Sequence, residues 1–123
     1  MKAISLGFFA VFCTVTTSFA QYQTPKASSK AVIKTPHIQC DVCKDKVTFF
    51  LSRHDGVSSV KVDPKRKTTT VSWLNDRTTL ENIKVAIANL GFDADDVEAE
   101  EYAFKRLPKD CRAHKPPPET PKN

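Results

Sequence analysis

With 123 residues, 19 basic and 14 acidic side chains, and a formal net charge of +5 at pH 7, the chain has room for one domain with a modest core. Its basic residues are dispersed, and carboxylates gather at Asp93, Asp95, Asp96, Glu98, Glu100 and Glu101. This pattern describes a mildly basic solvated surface and excludes a nucleic-acid stripe.

In chain order, Met1 to Ala20 has the form of an export signal. Lys2 precedes the apolar run Ile4 to Phe12, and Ser18-Phe19-Ala20 places small residues where a signal peptidase reads. A membrane anchor is the alternative, but this run falls short of the roughly 20 residues a spanning helix needs. Cys13 lies within the signal and lacks a lipobox. The mature chain is therefore expected to begin at Gln21, after cleavage at Ala20-Gln21, and to be periplasmic or secreted. It retains Cys40, Cys43 and Cys111, an odd set that cannot pair fully within one chain.

Residues 21–29 are polar and read as a flexible leader, and 30–107 as the compact domain. Residues 108–123 contain Pro116-Pro117-Pro118 and read as a disordered Pro-rich tail. Within the domain, Ala31-Val32-Ile33-Lys34 forms a strand that ends near Pro36. Cys43, Val47, Phe50, Leu51 and His54 recur at helical spacing, which predicts a helix from Asp41 to His54 closed near Gly56. Val57, Val60 and Val62 predict a second strand, Asp63-Pro64-Lys65-Arg66 a turn, and Thr69, Val71 and Trp73 a third strand. Thr78-Thr79-Leu80-Glu81 carries a capping-box pattern ahead of Leu80, Ile83, Ile87 and Leu90, the apolar face of a second helix closed by Gly91. Phe92 to Asp95 predicts a short final strand, and Ala99 to Leu107 a terminal helix. The order is that of a ferredoxin-like βαββαβ sandwich of class α+β, an antiparallel sheet with two helices on one face.

Cys40-Asp41-Val42-Cys43 then sits where the first loop meets the first helix. Two thiols at this spacing can converge from a loop and a helix onto one small ion, a signal of moderate specificity that its context must decide. The helix N-terminus, Lys44 and Lys46 favour the thiolate, the form that binds metal or attacks a disulfide. Thiolates select soft ions such as Cu(I). His37 reads as an exposed loop histidine, with a nitrogen ligand as the alternative. Cys111 and His114 would add a thiolate and an imidazole if the tail folded back, a donor number better suited to Zn(II) than to linear Cu(I). Otherwise Cys111 is an accessible thiol on a loose tail, open to intermolecular disulfides.

These cysteines, with Val47, Leu51, Gly56-Val57, Val60-Lys61-Val62-Asp63, Val71-Ser72-Trp73 and Leu90-Gly91-Phe92, resemble the heavy-metal-associated domain family over Ala31 to Ala94. That family includes copper chaperones, metal-binding domains of metal-transporting ATPases and a periplasmic mercury-binding protein. The resemblance implies a metal site at Cys40 and Cys43 in a non-enzymatic, exported metallochaperone or scavenger. Its cargo would be Cu(I) first, with Hg(II) or Zn(II) as alternatives. Its partner would be a metal-transporting membrane protein or another metallochaperone. The protein would be a monomer, with a metal-bridged dimer as the alternative. Two departures stand out: Ile38 replaces the family's usual core methionine, and His37 replaces a glycine. Phe92 occupies a position that packs near the metal loop, as a shield for the ion or as plain core.

The main rival is a thiol–disulfide oxidoreductase using the same C-x-x-C. It lacks both the thioredoxin-like element order and the aromatic residue before the first cysteine. A Cys40–Cys43 disulfide would close too small a loop to stabilise much, although its reversible formation in an oxidising compartment would switch metal binding off. A zinc ribbon needs a second ligand pair, which Cys111 and His114 poorly supply. His37, His54 and His114 are scattered and form no hydrolytic constellation. The carboxylates from Asp93 to Glu101 read as a solvated face, with helix capping or an acidic docking patch as alternatives.

Overall fold

Alternation along Thr68–Leu74 sends Thr69, Val71 and Trp73 inward and Thr68, Thr70 and Ser72 outward, and this strand is the centre of the sheet. The computed structural model describes residues 27–114. The expected export signal, residues 21–26 of the leader and the tail from residue 115 lie outside the described residues. Strand β1 (Ser28–Lys34) and strand β2 (Val57–Asp63) flank β3 (Thr68–Leu74) in the order β1-β3-β2, both antiparallel to it. The register sets Ile33 opposite Thr69 and Val60 opposite Val71, so one sheet face is apolar. A register shift between Val57 and Ser59 admits one extra residue at the start of β2.

Helix α1 (Asp41–Ser52) buries Cys43, Val47 and Leu51, and helix α2 (Leu80–Asn89) buries Ile83, Ile87 and Ala88. Both stripes join Ile33, Val71 and Trp73 in one core, the two-helix layer expected of a ferredoxin-like fold. The α1 stripe is narrower than the sequence implies. Phe50 is half exposed and stacks edge-on against Phe49 at 5.4 Å, because the three-and-four spacing from Cys43 to Leu51 already fills the inward face. The helix also stops at Ser52, before His54. Thr79, rather than Thr78, caps α2 by accepting a bond from the Asn82 amide at 3.3 Å. Glu81 turns instead to Lys84.

The expected final strand does not form. Phe92 to Asp95 makes one backbone bond to β1, from the Asp95 amide to the Lys34 carbonyl at 2.9 Å, and the Asp95 carboxylate takes the Lys34 amide at 2.7 Å. Asp95 then turns the chain away at φ 50°, into an isolated bridge between Ala94 and Val97. A side chain satisfying the strand-edge donor, followed by a left-handed residue, stops a ladder from propagating.

Beyond this turn the chain remains ordered. Helix α3 (Glu101–Arg106) is capped by the Glu100 carboxylate, and helix α4 (Lys109–Arg112) follows Pro108. The expected disordered tail therefore begins with a helical turn. Its anchors are Leu107 and Cys111, four residues apart and both buried in the core. Gly91 makes the close approach possible: its φ is +101°, and a Cβ there would stand 2.9 Å from the Ala103 backbone. The carboxylate run serves this turn. Asp93 receives the Ala99 amide, Glu100 caps α3, and Asp96 and Glu81 hold Lys84.

Candidate metal centre

The loop from Thr35 to Cys40 is braced from below. The Thr35 and Thr69 hydroxyls share a buried hydrogen bond of 2.9 Å, the Thr35 amide donates to the Lys67 carbonyl, and Ile38 is fully buried. Isoleucine thus fills the core place expected of it, and Phe92 is also fully buried in the same core. Cys40 follows at the N-cap of α1 with extended backbone and no side-chain capping bond, which leaves its sulfur free of the helix backbone. Its carbonyl accepts the Lys44 amide at 3.0 Å. Cys43 lies in the first turn, fully buried, on the stripe shared with Val47 and Leu51.

The third sulfur comes from α4. Cys43 and Cys111 are joined by a disulfide across 68 residues, with Cα atoms 5.7 Å apart. Cys40 is the free, half-buried thiol, 4.0 Å from the Cys111 sulfur. All three sulfurs lie within 4.8 Å of one another. Cys111 is therefore neither accessible nor loose. The fold-back of the tail that a third donor requires is present, and the bonded pair is Cys43–Cys111 in place of the Cys40–Cys43 pairing weighed from sequence.

His37 lies apart from this cluster and is largely buried. Its Nδ1 donates to the His114 carbonyl and its Nε2 pairs with Asp93 Oδ2, both at 2.9 Å. Both ring nitrogens are committed to oxygen, so the residue ties the metal loop to the segment after α2 and to the chain beyond α4. The His114 imidazole is also outside the sulfur cluster among the described residues. Sequence reasoning missed this positioning role. The available signal was an unusual loop histidine in a chain with an acidic segment sixty residues on.

An open groove of about 530 Å³ runs beside Cys40, lined by Gln39, Asp41, Lys44, Lys61 and Lys65 among others. Cys40 is thus the one sulfur of the three with an approach from outside, since Cys43 and Cys111 are at most 1% exposed.

Known proteins share the fold around this site. Copper chaperone CopZ of Staphylococcus epidermidis is 31% identical over 65 residues, covering 53% of this chain and 96% of the relative. A copper binding domain from HMA7, a P-type ATPase, superposes with a TM-score of 0.52 at 26% identity over 58% of this chain and 96% of its own. Oxidised MerP from Ralstonia metallidurans CH34 shares the fold, with a TM-score of 0.54 at 23% identity over 56% and 96% of the two chains. The heavy-metal-associated domain model matches residues 32–93; α3, α4 and Cys111 fall beyond it. The chain belongs to the heavy-metal-associated domain family.

Proposed function

We propose that the protein is an exported binder of soft metal ions, Cu(I) foremost with Hg(II) or Zn(II) as alternatives, acting as a metallochaperone or scavenger. The observation that carries this reading is the set of sulfurs within 4.8 Å at the start of α1. With thiolate–metal bonds of about 2.3 Å, sulfurs sharing one ion stand about 4.0 Å apart in a trigonal set and about 4.6 Å in a linear pair. The Cys40 and Cys111 sulfurs, 4.0 Å apart, meet that spacing, and Cys43 joins them once its bond to Cys111 is broken. In the reduced protein Cys40 and Cys43 hold the ion as thiolates, and Cys111 stands ready as a third donor. His37 positions the loop and leaves coordination to sulfur.

Transfer proceeds by ligand exchange. A partner's cysteine enters along the groove beside Cys40, shares the ion, and takes it over as the Cys40 thiolate leaves. The partner is a metal-transporting membrane protein or a second metallochaperone, met in the periplasm or outside the cell. The copper-related names of the relatives support this choice of ion.

The reduced protein from Gln21 onward is expected to bind about one Cu(I) per chain. The Cys40→Ser, Cys43→Ser double variant should lose it, and retained affinity in that variant would sink the assignment. A second reading, thiol–disulfide oxidoreductase, draws on the Cys43–Cys111 bond beside a free thiol. Efficient reduction of insulin by the protein would favour it over metal carriage.

A further inference from the structure

The Cys43–Cys111 bond blocks the metal reading as it stands. A disulfide sulfur has no thiolate to offer, and one free cysteine cannot clamp an ion. The bond must therefore be reduced before uptake, yet Cys43 is fully buried and Cys111 is 1% exposed. A dithiol reductant from outside has no direct path to either sulfur. Cys40 does have a path: it is half-buried on the open groove and lies 4.0 Å from the Cys111 sulfur.

We propose that Cys40 is the relay through which a dithiol reductant opens this buried disulfide, so that metal loading is gated by reduction. The proposal rests on the metal reading of the same cluster. In the first step the Cys40 side chain turns from beside the Cys43–Cys111 bond into line with it, and its thiolate attacks the Cys111 sulfur; a Cys40–Cys111 bond forms, the Cys43–Cys111 bond breaks, and Cys43 leaves as a thiolate. One thiolate and one disulfide are present before and after, so the step needs no external electrons. In the second step a thiolate of the reductant attacks the accessible Cys40 sulfur and expels the Cys111 thiolate, leaving a mixed disulfide at Cys40. The reductant's second thiol then displaces Cys40. The reductant leaves as its own disulfide, having supplied two electrons, and its two protons go to the departing thiolates or to solvent. Three sulfurs stand reduced within one ion's reach, and the fold has not had to open.

The donor of the third sulfur lies beyond the family match, on α4, where Leu107 and Cys111 anchor it in the core. The gate is thus an addition to the domain and leaves Cys40-Asp41-Val42-Cys43 intact. It confines reductive entry to the face that a metal-carrying partner would also use, so reduction and loading share one docking side.

The test is metal-free. Oxidised wild type and Cys40→Ser are exposed to dithiothreitol, quenched by alkylation and mapped by mass spectrometry. The expected map shows a Cys43–Cys111 linkage in both proteins and alkylated Cys40 in wild type. Reduction should be at least about tenfold slower in Cys40→Ser when folded and equally fast in both proteins in denaturant, because burial rather than intrinsic reactivity protects the bond. Equal folded rates would overturn the relay, as would a slow variant in denaturant or a Cys40–Cys43 linkage in the oxidised wild type. A reduced protein that binds no soft metal would defeat the metal reading while leaving these rates to decide the relay.

Discussion

Lys84 carries a full charge at a buried position, and its neighbours explain how. Its ammonium reaches Asp96 and Glu81 at 3.1 Å each, with Asp95 at 3.9 Å. The hydrogen bond to Asp96 and then that to Glu81 raise the Lys84 pKa above its ordinary 10.5, against the opposing effect of desolvation. The same ammonium holds Asp96 below its ordinary 3.8. A raised base contributes stability below its unfolded value and loses it as the pH climbs through the folded one. A depressed acid contributes above its unfolded value and loses it as the pH falls through the folded one. The pair therefore works across the whole neutral range. Asp96→Asn is expected to lower Tm by a few degrees at most at pH 7, and thermal melts should show the gap to wild type closing as the pH drops below 3.8. At this scale the cysteines and the core aliphatics were legible in the sequence. The pairings of His37 with Asp93 and of Lys84 with Asp96 were not, because both are set by a turn that sequence spacing does not describe.

Among the elements, strong periodicity carried through and weak periodicity did not. β3 follows its alternation residue by residue, and α1 and α2 keep the centres of their stripes, since each repeats an inward position several times; only Phe50 and His54 fall off the α1 stripe. The fourth strand failed because Phe92 to Asp95 offers too few positions to outweigh the aspartates, which take backbone donors for themselves. Helix α4 was invisible for the opposite reason: Lys109–Arg112 has a single buried residue, and only its fixed partners reveal it. His37 is one of those partners, through the His114 carbonyl. His37→Ala should leave α1 intact and loosen α4. Hydrogen exchange in the reduced protein, where no sulfur bond masks the change, should quicken roughly tenfold at the Cys111 to Ala113 amides. Unchanged protection there would show that His37 does not hold this end of the chain.

For the molecule as a whole, the apolar sheet face, two helices and the C-terminal turn form one core, and the disulfide spans most of it. Closing 68 residues removes enough freedom from the unfolded chain to contribute about 4 kcal/mol by the loop-entropy estimate. Denaturant unfolding of oxidised Cys111→Ser should show a loss on that order. The same substitution in reduced protein should cost far less, so the difference between the two states isolates the cross-link from the packing of the side chain. The domain boundary inferred from sequence, with the tail set apart from residue 108, drew the line just before the residue that makes this closure. Composition marks the Pro-rich stretch but gives no hint that Cys111, just ahead of it, belongs to the core.

Parity has a chemical consequence in the sulfur cluster. Three cysteines cannot all be oxidised to disulfides within one chain, so whichever bond is present leaves one thiol over. Here the remaining thiol is Cys40, the sulfur nearest the surface. Oxidation therefore closes the site to metal yet leaves one thiol open to an incoming reductant. The two electrons that were lost must come back from a dithiol outside, and the thiol that stays addressable fixes the point at which they return.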